Sequence, residues 1–295
     1  MTKSSVVRLM PSVQGTAGAG PSAYESNRQR RMEDAFARLL NDRSLGIAFQ
    51  PIWDLKTETI LGYEALARPP ADYGFSGPDE LFELAQRIGF VPDLDRMCFE
   101  AIVRSLKYVP DDVLLFVNIA PATLEHPEFN PARLVSGITR RGFDPKRVVI
   151  EITERMISNV PLVVQRALEF RALGVKLALD DTGAGNAGLW MLSVLAVDYL
   201  KIDASIVNRA ASDRSCRAVL AGIVAIAQET GSMLIAEGIE SEEVLRYIRT
   251  HGATAGDLFG RIRAVQGFLI ARPEMAGTHH DAVTLRKRVA TATAG

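Results

Sequence analysis

Apolar runs of strand length that end in an acid, an amide or a lysine recur along this chain. The most pointed is Lys176-Leu177-Ala178-Leu179-Asp180-Asp181, which breaks into Thr182-Gly183-Ala184-Gly185. Alone, an Asp-Asp pair after a strand is an ordinary turn former or helix N-cap. Here it belongs to a series: Gly62-Tyr63-Glu64, Phe116-Val117-Asn118, Val149-Ile150-Glu151, Leu200-Lys201, Ile235-Ala236-Glu237 and Ala264-Val265-Gln266. Most intervals between these polar ends are near ~30 residues, the size of one βα unit.

The rest of the pattern fills in around them. Residues 1–24 are small and polar and read as a flexible leader. A helix follows from Ser26, with Met32, Phe36, Leu39 and Leu40 on one face. Strands over Leu45–Leu55 and Ile60–Ala67 are joined so tightly that they must be antiparallel. Phe75–Asp79 reads as loop. Leu81, Leu84, Ala85 and Ile88 then mark a helix that stops at Gly89, and another spans Leu94–Lys107. Later strands centre near Phe116, Ile150, Leu177, Leu200, Leu234 and Phe268. Helical spacing is clearest at Val219–Glu229, ending at Gly231, and at Glu242–Thr250, ending at Gly252.

Eight strands alternating with helices over about 230 residues is the arithmetic of an α/β (β/α)8 barrel, here a TIM-like barrel with an antiparallel first strand. A doubly wound open sheet needs a glycine-rich phosphate loop after its first strand, where this chain has Asp54-Leu55-Lys56-Thr57. The expected organisation is a leader (1–24), a helix (25–43), the barrel (44–275) and a tail (276–295). The tail carries His279-His280 and Arg286-Lys287-Arg288 and reads as a loosely held helix or disorder.

Composition narrows the function. Of 295 residues, 47% are hydrophobic, ample for a core, and 34 basic residues balance 35 acidic ones. A net charge of −1 gives no field for a DNA or RNA polymer or an anionic membrane. Cys98 and Cys216 have no metal spacing and read as buried reduced thiols. No apolar run reaches ~18 residues and the start lacks a signal-peptide core, so a cytoplasmic location is expected.

In a barrel, the C-terminal strand ends converge on one face. That brings Glu64, Glu151, Asp180, Asp181 and Glu237 together with Asn118, Lys201 and Gln266. Five carboxylates this close need counter-charge or protons. An all-oxygen set without histidine or cysteine favours Mg²⁺ or Mn²⁺ over zinc. Such a two-metal site is the usual apparatus for phosphodiester hydrolysis, with Lys201 placed to orient or deprotonate the attacking water. The plainer alternative is an ion-pair network that only holds the barrel. Against it, one lysine cannot balance five acids, and burying unpaired charge is costly.

These residues resemble the EAL-domain cyclic di-GMP phosphodiesterases. The likeness runs from Gln50-Pro51-Ile52 and Glu64-Ala65-Leu66 with Arg68, through Asn118, Glu151-Ile152-Thr153-Glu154, Asp180-Asp181 and Leu200-Lys201-Ile202-Asp203. It ends at Glu237-Gly238-Ile239-Glu240 and Gln266-Gly267-Phe268. The resemblance implies two ions, the first held by Glu64, Asn118, Glu151 and Asp180, the second by Asp180, Asp181 and Glu237. It implies that Lys201 and Gln266 act on the water, that Gln50, Leu66 and Arg68 contact the dinucleotide, and that Glu154 steadies the loop after Asp181. Cyclic di-GMP would be opened to linear 5'-pGpG. The alternative is a weak or inactive cyclic di-GMP receptor that signals through a protein partner. A homodimer is compatible with the pattern, as is a regulatory protein. The chain departs from the family at Thr182 and Ala184, where phenylalanine and threonine are usual, so the segment 182–188 is expected to pack less well.

Overall fold

The computed structural model describes residues 23–153, 157–182, 188–254, 262–278 and 282–293. They fall into two compact units, one within Met1–Ile47 and Ala67–Arg104, the other within Ala48–Leu66 and Ser105–Gly295. In the first, the helix Ala23–Asp42 buries Phe36 and Leu39. Phe36 meets Phe90 edge-on at 6.3 Å, and Arg28 pairs with Glu80 at 2.7 Å.

The sheet contains β1 (Gly46–Asp54), β2 (Thr59–Arg68), β3 (Leu114–Ile119), β4 (Val148–Thr153), β5 (Lys176–Thr182), β6 (Tyr199–Ile202), β7 (Met233–Ala236), β8 (Ile262–Val265) and a two-residue β9 (Glu274–Met275). β2 to β8 are parallel in sequence order. β1 closes the ring by pairing with both β2 and β8, antiparallel to β8, and β9 adds to β1 at Ala48 and Phe49. This is the barrel expected, with its reversed first strand.

Inside it, side chains alternate in layers as period-two strands require. One buried layer consists of Ile52, Phe116, Val149, Ala178, Tyr199, Ile235 and Ala264. β2 contributes Gly62, where an added Cβ would sit 2.8 Å from the Phe116 ring. A glycine there makes room for the largest member of the layer.

Four local readings need correction. The final barrel strand is Ile262–Val265, and Phe268 lies in the turn after it, 49% exposed. Its aromatic character suggested a strand, but Gly267 packs so closely on Ile239 that the chain turns away. A Cβ at Gly267 would lie 2.2 Å from the Ile239 nitrogen. The helix Pro78–Arg87 starts inside the segment read as loop, because proline suits the first helical position and Asp79 and Glu80 suit the first turn. The helix Val91–Ser105 begins three residues before the expected Leu94. Finally, the helix Glu242–Thr254 runs through Gly252. A glycine inside a helix costs only ~1 kcal/mol and does not force an end.

Helix Arg214–Thr230 does stop as read, at Gly231 with φ +73°. Cys98 and Cys216 are buried free thiols. The segment after Pro273 includes a helix, Ala282–Thr293, with Leu285 and Val289 buried. Most of the leader, Glu154, Gly183 to Ala187 and His279-His280 lie outside the described residues.

Candidate active site

Two positions along each strand from the apolar layer lies a second interior layer, and it is polar. From Gly62, Phe116, Val149, Ala178, Tyr199, Ile235 and Ala264 the step leads to Glu64, Asn118, Glu151, Asp180, Lys201, Glu237 and Gln266. β1 runs the other way, so the step from Ile52 is backwards, to Gln50. All eight strands thus contribute to one polar ring. Gln50, Glu64, Asp180, Lys201, Glu237 and Gln266 line a cavity of about 270 Å³.

Lys201 sits at the centre, 1% exposed. Its Nζ lies 2.7 Å from Glu237 Oε1, 2.8 Å from Glu151 Oε1, 3.4 Å from Glu64 Oε2 and 3.5 Å from Asp180 Oδ1. Glu64 also accepts hydrogen bonds from Asn118 Nδ2 at 2.7 Å and Gln266 Nε2 at 2.7 Å. Gln266 Nε2 donates again to Gln50 Oε1 at 3.1 Å, and Gln50 Nε2 donates to the Ala271 carbonyl at 3.1 Å.

Asp180 and Asp181 are consecutive, and on a regular strand their side chains would face opposite ways. The register of β5 against β6 shifts between Leu179 and Thr182, and Asp181 takes a left-handed backbone with φ +55°. Aspartate tolerates this conformation better than most residues, and bulges re-aim side chains in this way. Here the result is convergence: Asp180, Asp181 and Glu237 each offer a carboxylate oxygen within 4.8 Å of the others.

Among the described residues, the charges of this ring do not balance, with one lysine shared by four carboxylates. Burial would push the Lys201 ammonium down, but the four surrounding carboxylates outweigh it and hold its pKa well above the usual value. Burial would push Glu64 up, yet Lys201 and the hydrogen bonds from Gln266 and Asn118 keep it lowered. For Glu151 burial prevails over Lys201, with Glu64 and Asp180 adding to it, and its pKa is raised well above the carboxylate range. Burial likewise lifts Glu237 to about 8, against Lys201 and with help from Asp180 and Glu64. Glu151 is 0% exposed, and its Oε2 has no hydrogen-bond partner among the described residues. These residues fit divalent cations, since the oxygen donors are hard, converge, and lack enough positive charge of their own.

Of the other expected residues, Leu66 lies further along β2, half-buried. Arg68 ends that strand, falls in the other compact unit, and donates to the Ala67 carbonyl at 2.8 Å. The cavity also has walls that strand-end reading missed: Ala204, Gly238, Glu240, Gly267 and Phe268. A signal existed, because glycine follows both Glu237 and Gln266. A Cβ at Gly238, with φ +62°, would lie 2.3 Å from that of Ala204. Phe268 carries Arg272 stacked at 4.4 Å, a cation–π pair at the cavity rim.

A family model described as EAL domain matches residues 33–273. The chain belongs to the EAL domain family. The Escherichia coli (strain K12) protein named probable cyclic di-GMP phosphodiesterase PdeN is 29% identical over 236 residues, covering 77% of this chain and 43% of that protein. Klebsiella pneumoniae BlrP1, solved as a manganese and cyclic di-GMP complex, superposes with a TM-score of 0.66 at 26% identity, over 79% of this chain and 56% of that one. The FimX EAL domain of Xanthomonas citri, solved with cyclic di-GMP, shares the fold: its TM-score is 0.71 at 18% identity, over 87% of this chain and 98% of that one. The chain therefore spans less than half the length of PdeN. Among the described residues, no helix is long and apolar enough to cross a membrane.

Proposed function

We propose that this EAL domain, taken as residues 44–275, hydrolyses one phosphodiester of cyclic di-GMP to give linear 5'-pGpG. The observation that carries the reading is the polar ring, four carboxylates around one buried lysine with a fifth carboxylate turned in by the bulge at Asp181. The substrate comes from the relatives, which are named for it or solved with it.

Glu64, Asn118, Glu151 and Asp180 would hold one Mg²⁺ or Mn²⁺ ion, and Asp180, Asp181 and Glu237 a second. Bound there, such ions supply an activated water and neutralise charge developing on the phosphate. Lys201, kept as an ammonium by its carboxylates, donates to the water and steadies negative charge on the phosphoryl oxygens. With cations bound among those carboxylates, their hold on its proton would loosen, so Lys201 would orient or deprotonate the water. Gln266 Oε1, buried without a hydrogen-bond partner among the described residues, would accept a hydrogen bond from that water. The water oxygen bonds to phosphorus as its proton passes to Lys201 or to solvent. The bond from phosphorus to the 3' oxygen breaks, that oxygen takes up a proton from solvent, and the phosphate stays on the 5' oxygen.

Incubation with cyclic di-GMP and Mn²⁺, followed by chromatography, tests this. Linear dinucleotide that disappears when a chelator is added is the expected result. Tight binding without product would make the domain a receptor acting through a protein partner, and neither binding nor turnover would sink both readings.

A further inference from the structure

We infer that Gln50 is a positioning residue that fixes which way the Gln266 amide faces, and so leaves Gln266 Oε1 for the attacking water. The inference rests on the hydrolase reading above. Resemblance gave Gln50 a different role, a direct contact with the dinucleotide, and the variants below separate the two.

Donor and acceptor logic carries it. The Ala271 carbonyl can only accept, so Gln50 must turn Nε2 toward it. That leaves Gln50 Oε1 facing Gln266, which must answer with its own Nε2. The Glu64 carboxylate makes the same demand on Gln266 from another side. A flipped Gln266 would set its oxygen against two acceptors at once. The remaining Gln266 Oε1 is the atom found buried without a hydrogen-bond partner among the described residues, on a side chain that lines the cavity.

The relay starts from fixed backbone. Ala271 lies shortly before β9, whose Glu274 and Met275 pair with Phe49 and Ala48 of β1, next to Gln50. Gln50 itself is 7% exposed. A buried amide with a protein partner at each end is built to hold a neighbour.

Gln50→Met keeps the volume and removes both hydrogen-bonding ends. Its kcat should fall about tenfold, equivalent to ~1.4 kcal/mol, with KM within about twofold of the parent. In the Gln266→Met background the same change should cost nothing further, since two residues acting as one unit are not additive. In metal-free protein, the Gln266 side-chain amide resonances, assigned by their loss in Gln266→Met, should shift in Gln50→Met. Gln50→Glu keeps an oxygen toward Gln266 and covers the case of a misfolded methionine variant. Its second oxygen meets the Ala271 carbonyl without a donor, so the Gln266 amide should move, but by less than in Gln50→Met.

A raised KM with kcat held would return Gln50 to substrate contact. Losses that multiply in the double variant, or an unmoved Gln266 amide in Gln50→Met, would overturn the positioning role. If the parent leaves cyclic di-GMP intact, only the hydrolase reading fails. The amide resonances then decide the positioning alone.

Discussion

The two ends of this barrel bury carboxylates in opposite ways. At the end where β1 stops, Asp54 is buried and closed on itself: Oδ1 accepts from the Lys56 and Thr57 nitrogens at 2.8 and 3.1 Å, and Oδ2 from Arg263 Nε at 2.9 Å. One acid meets one base, and each oxygen has a donor. At the other end four carboxylates share Lys201, and Glu151 Oε2 has no donor among the described residues. Burying unpaired charge destabilises a fold. The lower end therefore has the composition of a brace, and the upper end that of a site completed by cations.

The sharpest way to break this contrast is to remove the shared cation. Lys201→Ala should lower turnover by a factor on the order of 10²–10⁴ while nucleotide still binds in the presence of Mn²⁺. The metal-free variant should also lose ~3–5 kcal/mol of stability, because its carboxylates are left uncompensated. Mn²⁺ should restore more of the melting temperature in the variant than in the parent. Turnover at the parent's rate would make Lys201 a strut and the upper end a second brace.

A pH series asks the same question more gently. Glu237 is raised from the usual carboxylate value of 4.5 to about 8 in the folded protein, so between those pH values the folded state binds more protons than the unfolded one. Its contribution is present at low pH and is lost as pH rises toward 8. Glu151 is raised too and acts in the same direction. Metal-free protein should thus lose stability from about pH 4.5 to pH 8, and Mg²⁺ or Mn²⁺ should flatten that slope. Denaturant unfolding at several pH values, with and without metal, is the measurement. A flat metal-free curve would mean that the acids are balanced within the protein.

The upper end was the more legible of the two in the sequence. Each polar residue of the ring interrupts an apolar run, and the spacing of those interruptions is the barrel repeat itself. The apolar layer beneath could have been read as well, two positions back along each strand. What stayed hidden depends on pairings distant in sequence. Gln50 closes on Ala271 and Gln266, more than 200 residues away. The convergence of Asp180 with Asp181 needs a bulge that local pattern does not announce. Phe268 misled because an aromatic next to a strand-like run looks like core, while the close approach of Gly267 to Ile239 has no local sign. At the lower end, the Asp54–Arg263 pair joins strands 209 residues apart.

Asp54→Ala tests the brace. The Lys56 and Thr57 amides and Arg263 lose their acceptor, so stability should fall by about 1–3 kcal/mol. Turnover and the Mn²⁺ requirement should match the parent below the melting transition. A fall in kcat without a matching stability loss would show that the two ends are coupled, and the division of labour would fail.

The smallest effect is expected at Thr182, which ends β5 just past the two aspartates. Resemblance placed an aromatic here and expected the segment 182–188 to pack poorly without one. Thr182 itself is 5% exposed, aligned with Ile202 of β6, and its Oγ1 reaches the Leu179 carbonyl only at 3.4 Å. A bond that long contributes little. Thr182→Val, which removes only the hydroxyl, should change stability by under ~1 kcal/mol and leave the half-maximal Mn²⁺ concentration within about twofold. Thr182→Phe must find room at a buried strand end, where overpacking costs ~1–3 kcal/mol, and the aspartates beside it should then bind Mn²⁺ less well. Thermal melts and Mn²⁺ titrations at saturating nucleotide measure both variants. If Thr182→Phe instead gained activity at lower Mn²⁺, the strand end would have space for the aromatic, and threonine would be the weak point of the metal-binding end.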